Sequence, residues 1–394
     1  MPRSAVALAL AISSAFLVAL PRVLHAAARS EAIIDCARWG SGLYLCDAID
    51  SCNRNHKLPR WRMDIAHRAV SKYLKCDLWG RTTGTPEKVE QCRWRASKLA
   101  AGMNKRQVKF YDRRHTAFRK GQFDLYCGAL DFNPEFLGTP LGLGYATDLP
   151  TCAALGLPID EVFDYHECGD TYTTRLHARI LGLAEPRTRE FLEDAPVEGT
   201  TGPGDMGWCA LFPEERVSPV VCNVGFPPRP AISPQATPIA GTSEIRWCQN
   251  EFFKQVQTAE GKHLDLLEQC SEDYLMCNVK SENGDITQSA YDQCLQDAYN
   301  HCVDLRETTD SLNALHIGSI KEACNEIAWQ DVTDILGFGD IAADCGATDV
   351  DDLVDCIADQ VKCLAWDVAR FVEGRLLYDT PPEFIADYVS LCEN

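Results

Sequence analysis

From Ile245 to Cys277, apolar side chains, cysteines and one histidine recur every three or four positions. The series is Ile245, Cys248, Phe252, Val256, Ala259, His263, Leu266, Cys270, Tyr274 and Cys277. That spacing is one stripe of a long amphipathic α-helix. Ser281-Glu282-Asn283-Gly284-Asp285 breaks it, with Asn-Gly as a turn signal. A second stripe follows at Tyr291, Cys294, Ala298, Cys302, Leu305, Leu312 and His316. Two helices joined by so short a turn form an αα-hairpin. Next come Ile341-Ala-Ala-Asp-Cys345-Gly and an amphipathic stretch from about Asp349 to Leu377. Thr348 is the expected N-cap of that stretch, with Asp351 and Asp352 in the first turn, where the helix dipole favours negative charge. Pro381-Pro382 stops it, and a last short helix is expected to end at Cys392.

The cysteines give the hairpin a register. Facing positions of an antiparallel pair have residue numbers with a constant sum. Cys277 and Cys294 sum to 571, while Cys270 with Cys302 and Cys248 with Cys324 each sum to 572. Spacings of 7, 8 and 22 residues return a helix to nearly one face. Three bridges are therefore expected, Cys277–Cys294, Cys270–Cys302 and Cys248–Cys324. Each needs Cα atoms within about 7 Å.

The N-terminal half reads as a diverged copy of the C-terminal half. Lys72-Tyr-Leu-Lys-Cys76 echoes Asp273-Tyr-Leu-Met-Cys277, and Cys76 and Cys92 flank a Thr-Thr-Gly-Thr-Pro turn. Leu143-Gly-Tyr matches Leu336-Gly-Phe, Cys152 matches Cys345, and Cys168 matches Cys363. Glu190-Phe-Leu and Glu383-Phe-Ile close the two copies. In this alignment the first copy lacks counterparts of Cys270 and Cys302 together, and of Cys356 and Cys392 together. Cysteines missing in pairs suggest bonded partners, so Cys345–Cys363, Cys152–Cys168 and Cys356–Cys392 join the expected bridges, with Cys76–Cys92 as the copy of Cys277–Cys294. Cys209 and Cys222 are expected to close a local loop. Cys127 is assigned to one of Cys36, Cys46 or Cys52 without a choice among them.

The expected fold class is all-α: two related disulfide-stapled long helical-hairpin modules joined by a Pro-rich linker. Residues 1–28 read as a signal peptide, 29–195 as a basic module, 196–242 as the linker with its Cys loop, and 243–394 as an acidic module. Charge supports the division. Residues 29–120 hold 21 basic and 9 acidic side chains, whereas 241–394 hold 9 basic and 31 acidic. Nine prolines fall between Pro196 and Ala240, the composition of extended or turn structure.

The N-terminus has the order of a secretory signal: Arg3, an apolar run over Ala5–Leu20, then Pro21 and Ala26-Ala27-Ala28. The run is shorter than the roughly 20 residues of a spanning helix, and no other segment could span a bilayer. No integral membrane segment is therefore expected after signal cleavage. Twenty cysteines with no C-x-x-C exclude the usual zinc knuckle and thioredoxin-type motif and point to disulfides in an oxidising compartment. The expected location is secreted or periplasmic.

A helical hairpin with paired cysteines, then Cys-Gly, a cysteine-bearing helix and a Pro-x-x-Glu-Phe/Leu-hydrophobic ending resembles a group of cysteine-rich secreted α-helical hairpin proteins of environmental bacteria. The resemblance covers residues 243–394 well and 60–195 loosely. It implies fold and export, and no activity.

Candidate chemistry is sparse. There is no H-E-x-x-H, G-x-S-x-G or P-loop, and no catalytic, metal or cofactor residue is expected. His166-Glu167-Cys168 resembles a ligand or nucleophile cluster, but a bonded cysteine is neither thiolate nor ligand. Asp349, Asp351, Asp352 and Asp355 offer carboxylates without the loop spacing of an EF-hand and read as a solvated helix start. His301 reads as solvated. The basic stretch Lys105, Arg106, Lys109, Arg113, Arg114, Arg119 and Lys120, interleaved with Phe110, Tyr111 and Phe118, suits an anionic partner, but nucleic acid is not expected for an exported chain. The expected function is a non-enzymatic structural or interaction protein, with self-association through the oppositely charged modules as one partner mode. The alternatives are an enzyme with an inter-module site and an anion or ligand binder using the basic hairpin.

Overall fold

The computed structural model describes residues 57–82, most of 85–96, 149–156, 162–188, 242–282, 284–372 and 380–392. Every regular element among them is helical: α1 (Lys57–Thr82), α2 (Leu149–Ala154), α3 (Val162–Ala184), α4 (Thr242–Glu282), α5 (Gln288–Cys324), α6 (Trp329–Asp334), α7 (Gly339–Cys345), α8 (Val350–Val372) and α9 (Pro382–Cys392). The expected signal peptide, the Pro-rich linker with Cys209 and Cys222, the basic stretch 105–120, and Cys36, Cys46, Cys52 and Cys127 lie outside the described residues.

α4 and α5 form the long hairpin, spanning roughly 60 Å and 55 Å at about 1.5 Å per residue. The turn uses Gly284 at φ 73°, a conformation that costs glycine nothing and a β-carbon much. Thr287 caps α5, its side chain accepting from Ala290 N at 3.3 Å. Three disulfides join the arms, with Cα–Cα distances of 4.9 Å for Cys248–Cys324, 5.3 Å for Cys270–Cys302 and 5.7 Å for Cys277–Cys294. These are the pairs that the constant sum names. Side-chain contacts keep the register between them, including Tyr291 Oη donating to Asn278 Oδ1 at 2.7 Å.

Cys76–Cys92 and Cys152–Cys168 are bonded as expected, each with Cα atoms 5.6 Å apart. Cys345–Cys363 and Cys356–Cys392 are not. Cys345 bonds Cys356 (Cα–Cα 6.0 Å), and Cys363 bonds Cys392 (5.2 Å). Cys356 and Cys363 are two turns apart on one face of α8, so spacing alone does not distinguish them. Cys345 ends α7 just before α8 begins and reaches only its first two turns; Cys363 stands about 10 Å further along the axis. The same ambiguity displaced the repeat alignment. α3 and α8 each have 23 residues, and Cys168 and Cys356 each stand seventh in their helix. Cys168 therefore corresponds to Cys356, and Arg175 stands where the later copy has Cys363. The pair without a counterpart in α3 and its surroundings is Cys363–Cys392, a bonded pair.

The N-cap of α8 is also shifted. Asp349, not Thr348, accepts from Asp352 N at 3.0 Å, while Asp352 reaches back to the Thr348 hydroxyl at 3.2 Å, a reciprocal arrangement of the capping-box kind. α7 closes with Gly346 at φ 65°, and Ala347 N donates to Ala342 O at 2.8 Å, so the Cys-Gly pair is a left-handed helix stop.

The charged N- and C-terminal segments share one hydrophobic cluster. Met63, Val70, Leu74, Ile180 and Leu181 bury against the same core as Ile245, Phe252, Leu267, Leu353 and Trp366. α1 packs on α3 and α4, and α8 packs on α3, α4, α5 and α9. Polar contacts cross between the segments as well: His67 stacks on Phe253 with centroids 3.7 Å apart, Gln249 Nε2 donates to Ala184 O at 2.7 Å, and Arg187 donates to Ile335 O at 3.0 Å. The second arm of an N-terminal hairpin would lie beyond Ala96, outside the described residues.

Trypsin separates the two C-terminal pairings, because Lys362 lies between Cys356 and Cys363. Digestion without reduction is expected to link peptide 363–370 to peptide 376–394, and mass spectrometry reads the linkage. A link from 363–370 to 322–362 would contradict this arrangement.

Candidate functional site

The amphipathic α8 lies against the hairpin with Leu353, Val354, Ile357, Val361 and Leu364 buried. Beside this seam, α4, α5 and α8 leave a partly open cleft of about 180 Å³. Its apolar surface comes from Val256, Ile317, Ile320, Ile357 and Val361, and its polar surface from both hairpin arms.

His263, 4% exposed, stands within the helical stripe of α4. Asn313 Nδ2 donates to its Nε2 at 2.7 Å, which leaves the ring proton on Nδ1, 3.0 Å from the Tyr388 hydroxyl. Tyr388 arrives on α9 and stacks on Trp366, with centroids 5.6 Å apart; the Cys363–Cys392 bridge ties α9 to α8. Burial, reinforced by the Lys362 charge, pushes the His263 pKa down to about 4, so the ring is neutral at pH 7. The ammonium of Lys362 sits 4.9 Å over the Tyr388 ring, a cation–π contact.

His316 is set by a relay. The Glu251 carboxylate accepts from Gln255 Nε2 at 2.7 Å, which turns Gln255 Oε1 toward His316 Nδ1 at 2.5 Å. A carboxylate only accepts, so the amide orientation is determined and His316 carries its proton on Nδ1. Nε2 is left with a lone pair. Burial, followed by the charges of Lys254 and Lys262, lowers the His316 pKa.

A second polar cluster ties α1, α3 and α4 together. His67 Nδ1 lies 2.7 Å from Glu185 Oε1, and Arg187 donates to Asp77 Oδ2 at 2.9 Å. Burial raises the Glu185 pKa against the opposing effect of His67, whereas the pull of Arg187 and Arg81 outweighs burial and lowers that of Asp77. Fully buried His177 and Glu260 approach to 2.5 Å between α3 and α4. These contacts lie within the packed core and orient helices.

Cys168 is buried and bonded, so the His166-Glu167-Cys168 cluster has no thiolate. Asp349 and Asp352 serve as caps, and Asp355 pairs with Lys321 at 2.9 Å. Among the described residues, no group of three or more His, Cys, Asp or Glu side chains is placed to hold a metal ion. His301, half exposed, lies 2.6 Å from Asp273 on the facing arm. His263 and His316 were visible in the sequence only as members of the apolar stripes. The available signal was that polar rings occupied inward positions on both arms at nearly matching heights.

The depressed His263 pKa makes stability depend on pH. An unfolded chain protonates this ring near 6.5 and the folded chain only near 4, so folding is weakened as pH falls through that interval. The loss is roughly 3 kcal/mol for this group, most of it present by pH 4. Urea unfolding at pH 7 and pH 4 is expected to show a smaller loss in His263→Gln than in the parent by about that amount; equal losses would place the charged ring in the folded state.

No family model, curated protein or solved structure matches the chain.

Proposed function

We propose that this chain is an exported, disulfide-clamped helical binding protein that works in an oxidising compartment outside the cytoplasm and catalyses no reaction. The observation that carries this reading is the sulfur framework: every cysteine among the described residues is bonded, and three bridges clamp one hairpin along its length. Such bonds persist where glutathione and thioredoxin do not reduce them, and a native bridge typically contributes about 2–4 kcal/mol. The signal-like order of residues 1–28 agrees with export. Among the described residues, no helix is long and apolar enough to cross a membrane. A rigid scaffold with one small cleft and polar outer helix faces suits recognition of a partner or ligand.

The chain, expressed with its own N-terminus in a bacterium that has a periplasm, is expected to appear in the exported fraction. Its mature N-terminus should fall near residue 29, and a maleimide polymer should leave its gel mobility unchanged until reductant is added. A cytoplasmic chain whose thiols react without reductant would overturn the proposal. In situ crosslinking of the exported form should capture a protein or small-molecule partner, whereas turnover of a substrate would contradict the non-enzymatic part.

A further inference from the structure

The cleft between α4, α5 and α8 is rich in acceptors. His316 Nε2 carries a lone pair because the Glu251–Gln255 relay holds the proton on the other nitrogen. Asn313 Oδ1 is shut off from solvent and has no hydrogen-bond partner, which costs about 1–3 kcal/mol when left unsatisfied. Asp310 on α5 and Asp359 on α8 add carboxylates to the lining. The floor is aliphatic, from Val256, Ile320, Ile357 and Val361. Apolar walls with a few convergent polar groups are the usual build of a small-molecule site.

The geometry points to this cleft as a binding site for a small aliphatic ammonium, its chain on the floor and its N–H donors shared between Asn313 Oδ1 and His316 Nε2. Asp310 and Asp359 supply the opposite charge. Lys362 is the one lining cation among the described residues, and its ammonium is engaged over the Tyr388 ring. A carboxylate ligand would place more acceptors against acceptors and leave Asn313 Oδ1 without a donor.

The site carries its own pH dependence. On α4, Glu251 is held by Gln255 and by Lys254 at 3.4 Å, and Lys262 adds positive charge near His316. On α8, Asp355 is paired with Lys321 of α5, which leaves Asp359 and Lys362 at the cleft with Asp310. His263 stays neutral until about pH 4. Between pH 7.5 and 5, His316 is therefore the cleft group whose change matters. Its protonation turns Nε2 from acceptor into donor and places a cation beside the ammonium, so affinity falls on acidification.

This inference rests on the binding reading above, and the two fail separately, since thiol accessibility tests that reading and ligand titration tests this one. The oxidised full chain is titrated with hexylammonium, hexanol and hexanoate by calorimetry, with the histidine ring nitrogens followed by NMR. Hexylammonium is expected to bind at least about tenfold more tightly than either comparator, to shift the His316 Nε2 resonance, and to weaken as pH falls from 7.5 to 5. Ala358→Trp, which fills the half-buried wall, should abolish binding with helical content unchanged. His316→Phe should weaken binding about tenfold at pH 7.5 and remove its pH dependence. Tighter binding of hexanoate, equal binding of hexanol, unchanged affinity in both variants, or no binding of hexylammonium overturns the proposal.

Discussion

Two helices of 41 and 37 residues must lie side by side at bonding distance over most of their length, and nearly everything else follows from that constraint. A disulfide requires its Cα atoms within about 7 Å, closer than helices with large side chains between them approach. Cysteine at the three rungs supplies both the small side chain and the bond. With the arms held in register, their outward stripes present a continuous apolar surface, and α1, α3 and α8 cover it. The hydrogen bonds, ion pairs and ring contacts described from α1, α3, α7–α8 connections and α9 to α4 concentrate between Gln249 and His263. The half of the hairpin nearer the turn relies more on its own two lower bridges.

The cleft depends on the same register. His263 and Gln255 come from one arm, Asn313 and His316 from the other, and they meet because 263 and 313, like 255 and 316, fall near the constant sum of the bridges. A one-residue slip would rotate each side chain by about 100° and separate them. α9 completes the wall through Tyr388, and the Cys363–Cys392 bond fastens that helix to α8. The scaffold and the candidate site are thus products of one geometric fact, although the polar lining is not needed for the fold.

Much of the fold was legible because helical periodicity and cysteine spacing are local or nearly so. The stripe from Ile245 to Cys277, the Asn283-Gly284 turn and the three rungs follow from residue positions alone. Cys345 and Cys363 show the limit. Two cysteines seven residues apart share a helix face, and only the placement of α7 before α8 decides which one is reached. The N-cap moved from Thr348 to Asp349 for a similar reason, since two adjacent capping residues differ only in backbone geometry. The site was less legible. His263 and His316 sit at inward positions where the stripe pattern expects apolar groups, and their meaning depends on Asn313, Gln255 and Tyr388, which no spacing rule brings together.

Hydrogen exchange on the oxidised and the reduced chain tests the clamped hairpin most directly. Reduction is predicted to strip protection from the amides of 268–302, where the bridges Cys270–Cys302 and Cys277–Cys294 lie, while residues 249–263 keep most of theirs under the covering helices. Equal protection of 268–302 in both forms would show that the hairpin stands without its sulfur links, and would contradict the account.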